Sequence, residues 1–231
     1  MAVDDSYTVS LLHMDGSDTS TTFTDESGKT WTANGNAQID TAQSKFGGAS
    51  GLFDGAGDYI DTPDHADFDV GSGDFTVDFW FKKNTNGTNQ VAFGQSNSTA
   101  TATTVGIYGY ISLTTNKIAV YGYTGSTLKQ LESSTTVTDT NWHHYAAVRS
   151  GNTLYLFLDG VNVGTLDVTG VTFNNSANKM AIGRNGEYDG QYANGWIDEF
   201  RFSKGIARWT TNFTPPTSPY YSPFVPQVVW I

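Results

Sequence analysis

Apolar and polar residues alternate with a period of two along most of the chain, and Gly-, Asn- and Asp-containing turns separate the runs. Residues 7–14 predict a first strand, and residues 51–61 predict two short extended pieces around Gly55-Ala56-Gly57-Asp58. In the run 75–81, Phe75, Val77, Phe79 and Phe81 fall on one face, with Thr76, Asp78 and Trp80 on the other. Weaker strands are expected near 90–94, 104–113 and 117–123. Residues 142–164 read as a meander of three strands, broken at Ser150-Gly151-Asn152 and at Asp159-Gly160. Residues 179–183 and 195–203 add two more, and helix is expected only as single turns near 64–68 and 203–209. The pattern predicts an all-β fold, a two-sheet antiparallel β-sandwich of the jelly-roll kind.

Composition narrows this picture. Only 15% of residues are charged and 14% are aromatic, so hydroxyls and amides carry the surface and rings are ample for a core. A net charge of −11 speaks against nucleic acid and anionic membranes as partners, because both need a basic face. The absence of Cys removes disulfides, thiolate zinc sites and thiol nucleophiles. No apolar run is long enough for membrane insertion. Met1 is followed by Ala-Val-Asp-Asp, which does not read as a secretory signal, so an exterior location would be reached by another route.

The composition shifts near the C-terminus, where five of the six prolines lie between Pro215 and Pro226. Two units are expected, a sandwich over 1–214 and a Pro-rich apolar tail over 215–231. Apolar groups left in water cost about 25 cal/mol per Å² relative to burial, so this tail should rest on a surface. It could pack along its own sandwich. The expectation here is docking on another subunit, because residues 227–231 read as a short strand suited to a partner's sheet edge. Tyr221, Phe224, Val228, Trp230 and Ile231 would be the docking residues, in a homo-oligomer such as a trimer or on other subunits of an assembly.

Several motifs occur in order: LLHMDG at 11–16, TFTDESGKTW at 22–31, KFGGASGLFDGAGDYI at 45–60 and GDFTVDFWF at 73–81. They continue with 142–164, KMAIGRN at 179–185 and NGWIDEFRFSKGIARWTTNFTPPTSPY at 194–220. Together they resemble the laminin-G-like branch of the concanavalin A-like lectin/glucanase superfamily, of the type found in bacteriophage and marine microbial surface proteins. The resemblance implies two curved antiparallel sheets, frequent sugar binding, and often one structural calcium. Carried over by motif, the ion's ligands would be Asp15 of LLHMDG and Asp198 of WIDEF with backbone carbonyls, and Asp25 of TDESG as a weaker third.

Catalytic signatures are thin. The glucanases of this superfamily carry E-x-D-x-x-E or E-x-D-x-E on one strand. Here Glu187 and Asp189 occur, but Gln191 and Tyr192 stand where the third carboxylate would fall. Asp198 and Glu199 are adjacent, and on a regular strand they would point to opposite faces. His143 and His144 would likewise diverge, and all four His are read as structural. Asp54, Asp58, Asp61, Asp64, Asp67, Asp69 and Asp74 lack EF-hand spacing and read as solvated turns. Sugar stacking would use Tyr108, Tyr110, Tyr121 and Tyr123, which alternate with Gly on two neighbouring strands, and Tyr188 and Tyr192 beside a Gly-rich loop. The expected function is a non-enzymatic carbohydrate- or surface-binding module, exposed on a phage virion and acting in host adhesion. A purely structural decoration protein is the alternative, and a polysaccharide-degrading enzyme ranks last.

Overall fold

The computed structural model describes residues 5–84, 90–99, 101–111, 115–187 and 191–220. Strands β1 (Thr8–Leu12), β2 (Thr32–Asn34), β3 (Gln38–Asp40), β4 (Ser50–Asp54) and β5 (Tyr59–Thr62) precede the long β6 (Phe75–Lys83). Next come β7 (Gln90–Gln95), β8 (Ile107–Ile111), β9 (Ile118–Thr124) and β10 (Thr127–Glu132). The meander is β11 (Trp142–Ser150), β12 (Thr153–Leu158) and β13 (Val161–Asp167), followed by β14 (Met180–Ile182) and β15 (Asn194–Lys204). One antiparallel sheet runs β13-β12-β11-β6-β15-β4-β3, with β1 also on β15; the other runs β10-β9-β8-β7-β14-β5-β2.

The alternation in β6 dictates the core. Phe75, Val77, Phe79 and Phe81 all point between the sheets and are buried. Phe79 stacks on Tyr145 at 4.7 Å and on Phe200 at 5.9 Å, and Phe93 from the second sheet meets it edge-on at 6.1 Å. Such offset and edge-to-face rings add roughly 0.5–1.5 kcal/mol per pair beyond area burial. Thr76, Asp78 and Trp80 on the other face of β6 are buried too.

Thr76 and Asp78 are covered by the chain's own C-terminal segment, and Trp80 by Lys45 and Phe46. Thr76 Oγ1 donates to the Ile206 carbonyl and accepts from Arg208 N. Trp209 and Phe213 stack at 4.0 Å, Phe213 packs on Phe157, and Phe213 N–H donates to the Gly160 carbonyl. These contacts hold 206–213 in an irregular, bent path against the sheet, and the helical turn expected near 203–209 does not form. Single 3₁₀ turns occur at Ala66–Phe68 and Ala102–Thr104. The strap continues past the expected domain boundary at 214/215 to Tyr220, which is buried. Tyr221, Phe224, Val228, Trp230 and Ile231 lie outside the described residues. Strands β2, β3 and β10 were not anticipated. Each is short or polar and takes its conformation from a neighbouring strand rather than from its own alternation.

Candidate functional site

Two regions concentrate functional chemistry. The first lies where β1 ends beside β15. Ile197 and Phe200 both point into the core, so Asp198 and Glu199 between them lie on the same outer side. A β-bulge causes this. The β15–β6 register shifts between Asp198 and Arg201, and Glu199 takes a left-handed φ of 52°. The expectation that these carboxylates face opposite ways is therefore corrected, because the bulge inserts one residue and breaks the alternation.

Glu199 is fully buried and held by neighbours. His13 Nδ1 contacts its two oxygens at 2.9 and 3.0 Å, and Tyr220 N–H donates to Oε2 at 2.8 Å. The Glu199 contact raises the His13 pKa above its usual value, although burial opposes it. Asp198 Oδ2 accepts from Lys45 N at 2.7 Å and Phe46 N at 3.1 Å, while Oδ1 is buried with no partner. Burial, with Glu199 and Asp15 nearby, pushes the Asp198 carboxyl up to about 7 despite the two N–H donors.

Asp15 reaches the same corner. A Cβ on Gly47, whose φ is +62°, would collide with the Asp15 carboxylate, so this approach requires glycine. A cleft of about 290 Å³ lined by His13, Met14, Asp15, Thr24 and Glu26 opens beside it. An unpartnered, buried carboxylate oxygen next to a second carboxylate fits a hard cation. Among the described residues no group of three His, Cys, Asp or Glu is arranged around one point, so backbone carbonyls would complete any shell. Asp25, expected as a third ligand, is committed elsewhere. Its oxygens accept from Ser10 Oγ, Leu11 N, Ser27 N and Trp31 Nε1 at 2.7–3.2 Å. Those four bonds tie the 25–31 loop to β1 and use up the lone pairs an ion would need.

The second region is the outer face of β8 and β9. Ile107, Ile111, Ile118 and Val120 point inward, which places Tyr108, Tyr110, Tyr121 and Tyr123 together outside. The intervening glycines matter on the inner side. A Cβ on Gly109 would strike the Phe93 ring, and one on Gly122 the Phe173 ring. Tyr121 lies 5.0 Å from Tyr108 and 5.7 Å from Tyr110, over Val91 and Ala119. Tyr123 pairs across to Leu128, and Tyr121 to Gln130 of β10. Tyr121 Oη donates to Glu132 Oε1 at 2.9 Å. Burial raises the Tyr108 and Tyr121 phenols and pushes Tyr110 up to about 12, so all three stay neutral donors at physiological pH. Tyr192 sits apart, stacked on Tyr59 at 6.3 Å, with Arg184 over the Tyr59 ring at 3.6 Å. Tyr188 and Asp189 lie outside the described residues.

The remaining sequence candidates are structural. His143 bridges Asp159 at 2.7 Å and Asp139 at 2.9 Å; His144 packs under the strap with Nε2 3.0 Å from Tyr220 Oη. The acidic run is only partly solvated. Asp58 and Asp61 are buried, Asp58 accepting from Asn36 N and Asp54 N, and Asp61 from Lys179 Nζ.

The chain belongs to the concanavalin A-like lectin/glucanases superfamily, whose laminin-G-type family model matches residues 54–208. No curated protein matches it in sequence. Among solved structures it is similar to domain 4 of a GH43 extracellular arabinanase from Geobacillus stearothermophilus, in complex with arabinotriose. That match has 17% identity, covers 87% of this chain and 93% of that one, and has a TM-score of 0.63. It is also similar to the binding domain of botulinum neurotoxin DC in complex with SialylT, at 13% identity over 88% of this chain and a TM-score of 0.64. A third is a botulinum neurotoxin type C structure whose cell entry depends on two ganglioside molecules, at 14% identity over 87% of this chain and a TM-score of 0.64. This chain spans about half the length of the two toxin structures. At these identities the likeness is one of fold.

Proposed function

We propose that the chain is a non-enzymatic glycan-binding module whose ligand stacks on the outer face of β8 and β9. The observation that carries this reading is the part-exposed pair Tyr108 and Tyr121, which packs on the buried Tyr110. Flat aromatic faces take the apolar side of a sugar ring, while neutral phenols, Gln130 and Glu132 supply hydrogen bonds to hydroxyls. Saccharide complexes among the similar structures support the ligand class. The carboxylates beside β1 are poor candidates for glycoside hydrolysis, because Glu199 is held by His13 and Tyr220, and Asp198 by two backbone N–H groups. Their proposed role is to hold one calcium ion through Asp15 and Asp198, joining β1 to β15. The proposed setting is an exterior surface, such as that of a phage particle, with residues 221–231 as the docking segment.

The test is a glycan array probed with the full chain and with Tyr121→Ala. The parent should bind at least one glycan, and the variant should bind it at least tenfold more weakly with an unchanged melting temperature. An array with no bound glycan would leave a purely structural role, and a variant binding like the parent would remove the tyrosine face from the site.

A further inference from the structure

Three of the chain's arginines have acceptors that account for them. Arg201 forms the bidentate pair with Asp78, Arg208 reaches Asp5, and Arg149 donates to the carbonyls of Gly71, Gly151 and Val171. Arg184 differs. Its Nε donates to the Gly186 carbonyl at 2.8 Å and its guanidinium carbon lies 3.6 Å from the Tyr59 ring centre, but no described residue accepts from Nη1 or Nη2. Neither of those atoms is enclosed, so that edge of the guanidinium meets solvent. The chain has 23 acidic residues against 12 Lys and Arg, yet among the described residues none is ion-paired with this arginine.

Arg184 is also firmly placed. Gly183 N–H donates to the Ala92 carbonyl, Gly186 N–H to that of Gly94 and Glu187 N–H to that of Ser96, which lays 183–187 along the end of β7. A Cβ on Gly186, whose φ is +55°, would strike the Ser96 backbone, so this approach requires glycine. Ile60 and Ile182 point into the core, which puts Tyr59 on the outer side of the sheet, the side that carries Tyr108 and Tyr121. Asn185 adjoins that pair. A Cβ on Gly94 would lie 2.4 Å from Asn185 Oδ1 and 2.6 Å from Tyr108 Cβ. β5 and β8 are separated by β14 and β7, so the strands of Tyr59 and Tyr108 are three strand spacings apart, about 14 Å.

We propose that Arg184 selects the ligand by charge, gripping the carboxylate of an acidic sugar unit, a uronate or a sialate, in a chain whose other end stacks on Tyr108 and Tyr121. This rests on the tyrosine-face reading above and adds the ligand class to it. The open edge of the guanidinium presents two parallel N–H donors that match the two carboxylate oxygens, and both bonds are charge-assisted. The Gly186 bond and the Tyr59 ring fix the guanidinium plane before a ligand arrives, so little side-chain freedom is lost on binding. A hydroxyl or an ester in the same place offers no charge and no matched oxygen pair, so it binds more weakly.

The experiment titrates the full chain by calorimetry with ligand pairs that differ only in the acid: oligogalacturonate, oligoglucuronate and sialyllactose, each against its methyl ester. Amide NMR shifts locate the binding. At least one acid should bind tenfold or more tightly than its ester and shift residues 183–187 together with β8 and β9. Arg184→Gln, checked for an otherwise native spectrum, should bring that acid and its ester within about threefold of each other. Arg184→Lys should recover only part of the gap, because an ammonium lacks the parallel pair of donors. Tyr121→Ala should weaken acid and ester alike. Equal binding of acids and esters by the parent, lost in Tyr121→Ala, would overturn the role of Arg184 and leave the tyrosine reading standing. A preference for acids that needs Arg184 and ignores Tyr121→Ala would keep the arginine and remove the tyrosine face from the site. The proposal also fails if no acidic sugar binds, or if Arg184→Gln keeps the parent's preference.

Discussion

Glu199 shows how much one backbone angle can change a site. Its φ of 52° lies in the left-handed region, which costs a non-glycine residue on the order of 1 kcal/mol or more. The cost is offset by contacts that only this conformation makes, to His13 and to Tyr220 N–H. As a consequence Asp198 shares the outer side, with Oδ1 unpartnered and its carboxyl pushed up to about 7 by burial first and by Glu199 and Asp15 second. A carboxyl raised in the folded state keeps a proton that the unfolded chain releases, so folding weakens as pH climbs from about 4 to about 7. For Asp198 this amounts to roughly 4 kcal/mol. Asp198→Asn should therefore raise the melting temperature of the metal-free protein at pH 8. If Asp15 and Asp198 hold calcium, the same variant should abolish the gain in melting temperature that calcium gives the parent. Equal calcium and chelator curves for the parent would count against the ion.

At the scale of elements, the C-terminal strap and the Gly-Tyr strands are the parts with most at stake. The strap turns the back of β6 into a second interior. Asp78 is fully buried there, and burial alone would raise its carboxyl. The bidentate Arg201 guanidinium, at 2.9 and 3.0 Å, and His144 outweigh that and hold it well below the usual carboxylate range. Tyr220 closes this layer with Arg201 over its ring at 4.1 Å. Tyr220→Ala should destabilise the isolated domain by about 2–4 kcal/mol in chemical denaturation, because it empties a packed position and uncovers Glu199 and His144. Deletion of 221–231 should leave melting unchanged and lower the oligomeric state measured by sedimentation; loss of stability with unchanged assembly would refute docking. In β9, Gly122→Ala should cost about 1–3 kcal/mol, because the new methyl meets the Phe173 ring. The same stability change without displacement of Phe173 in a structure of the variant would disprove that cause.

For the whole molecule, the shifted groups combine into a pH profile. The Asp78 contribution is fully present above the unfolded carboxylate value near 4 and is lost as pH falls further. The His13 contribution is present below the unfolded imidazole value near 6.5 and fades as pH rises through its raised folded value. The Asp198 penalty grows between about pH 4 and 7. The metal-free protein should accordingly be most stable near pH 4–6 and lose stability toward pH 8. Calcium at Asp15 and Asp198 would stabilise more at pH 8 than at pH 5.5, because binding at the lower pH must first displace a proton. Thermal melts across this range, with and without calcium, check both limbs.

What the chain's pattern determined by itself was the part governed by local rules. Period-2 alternation placed Phe75, Val77, Phe79 and Phe81 in the core, and the Gly-Tyr alternation placed four tyrosines on one outer face, because strand geometry fixes which side each residue takes. The ordered motifs likewise carried the family. The tertiary structure decided everything that depends on a distant partner. It bent β15 at Glu199, against the alternation that had separated Asp198 from Glu199. It gave Asp25 four donors from β1 and its own loop, and drew the Ile206–Tyr220 segment across β6 rather than into a helical turn. It also seated Arg184 on the ring of Tyr59, from a strand far away in sequence. None of these has a local signature, since a bulge, a saturated carboxylate and an arginine on a distant ring are each defined by what the fold brings against them.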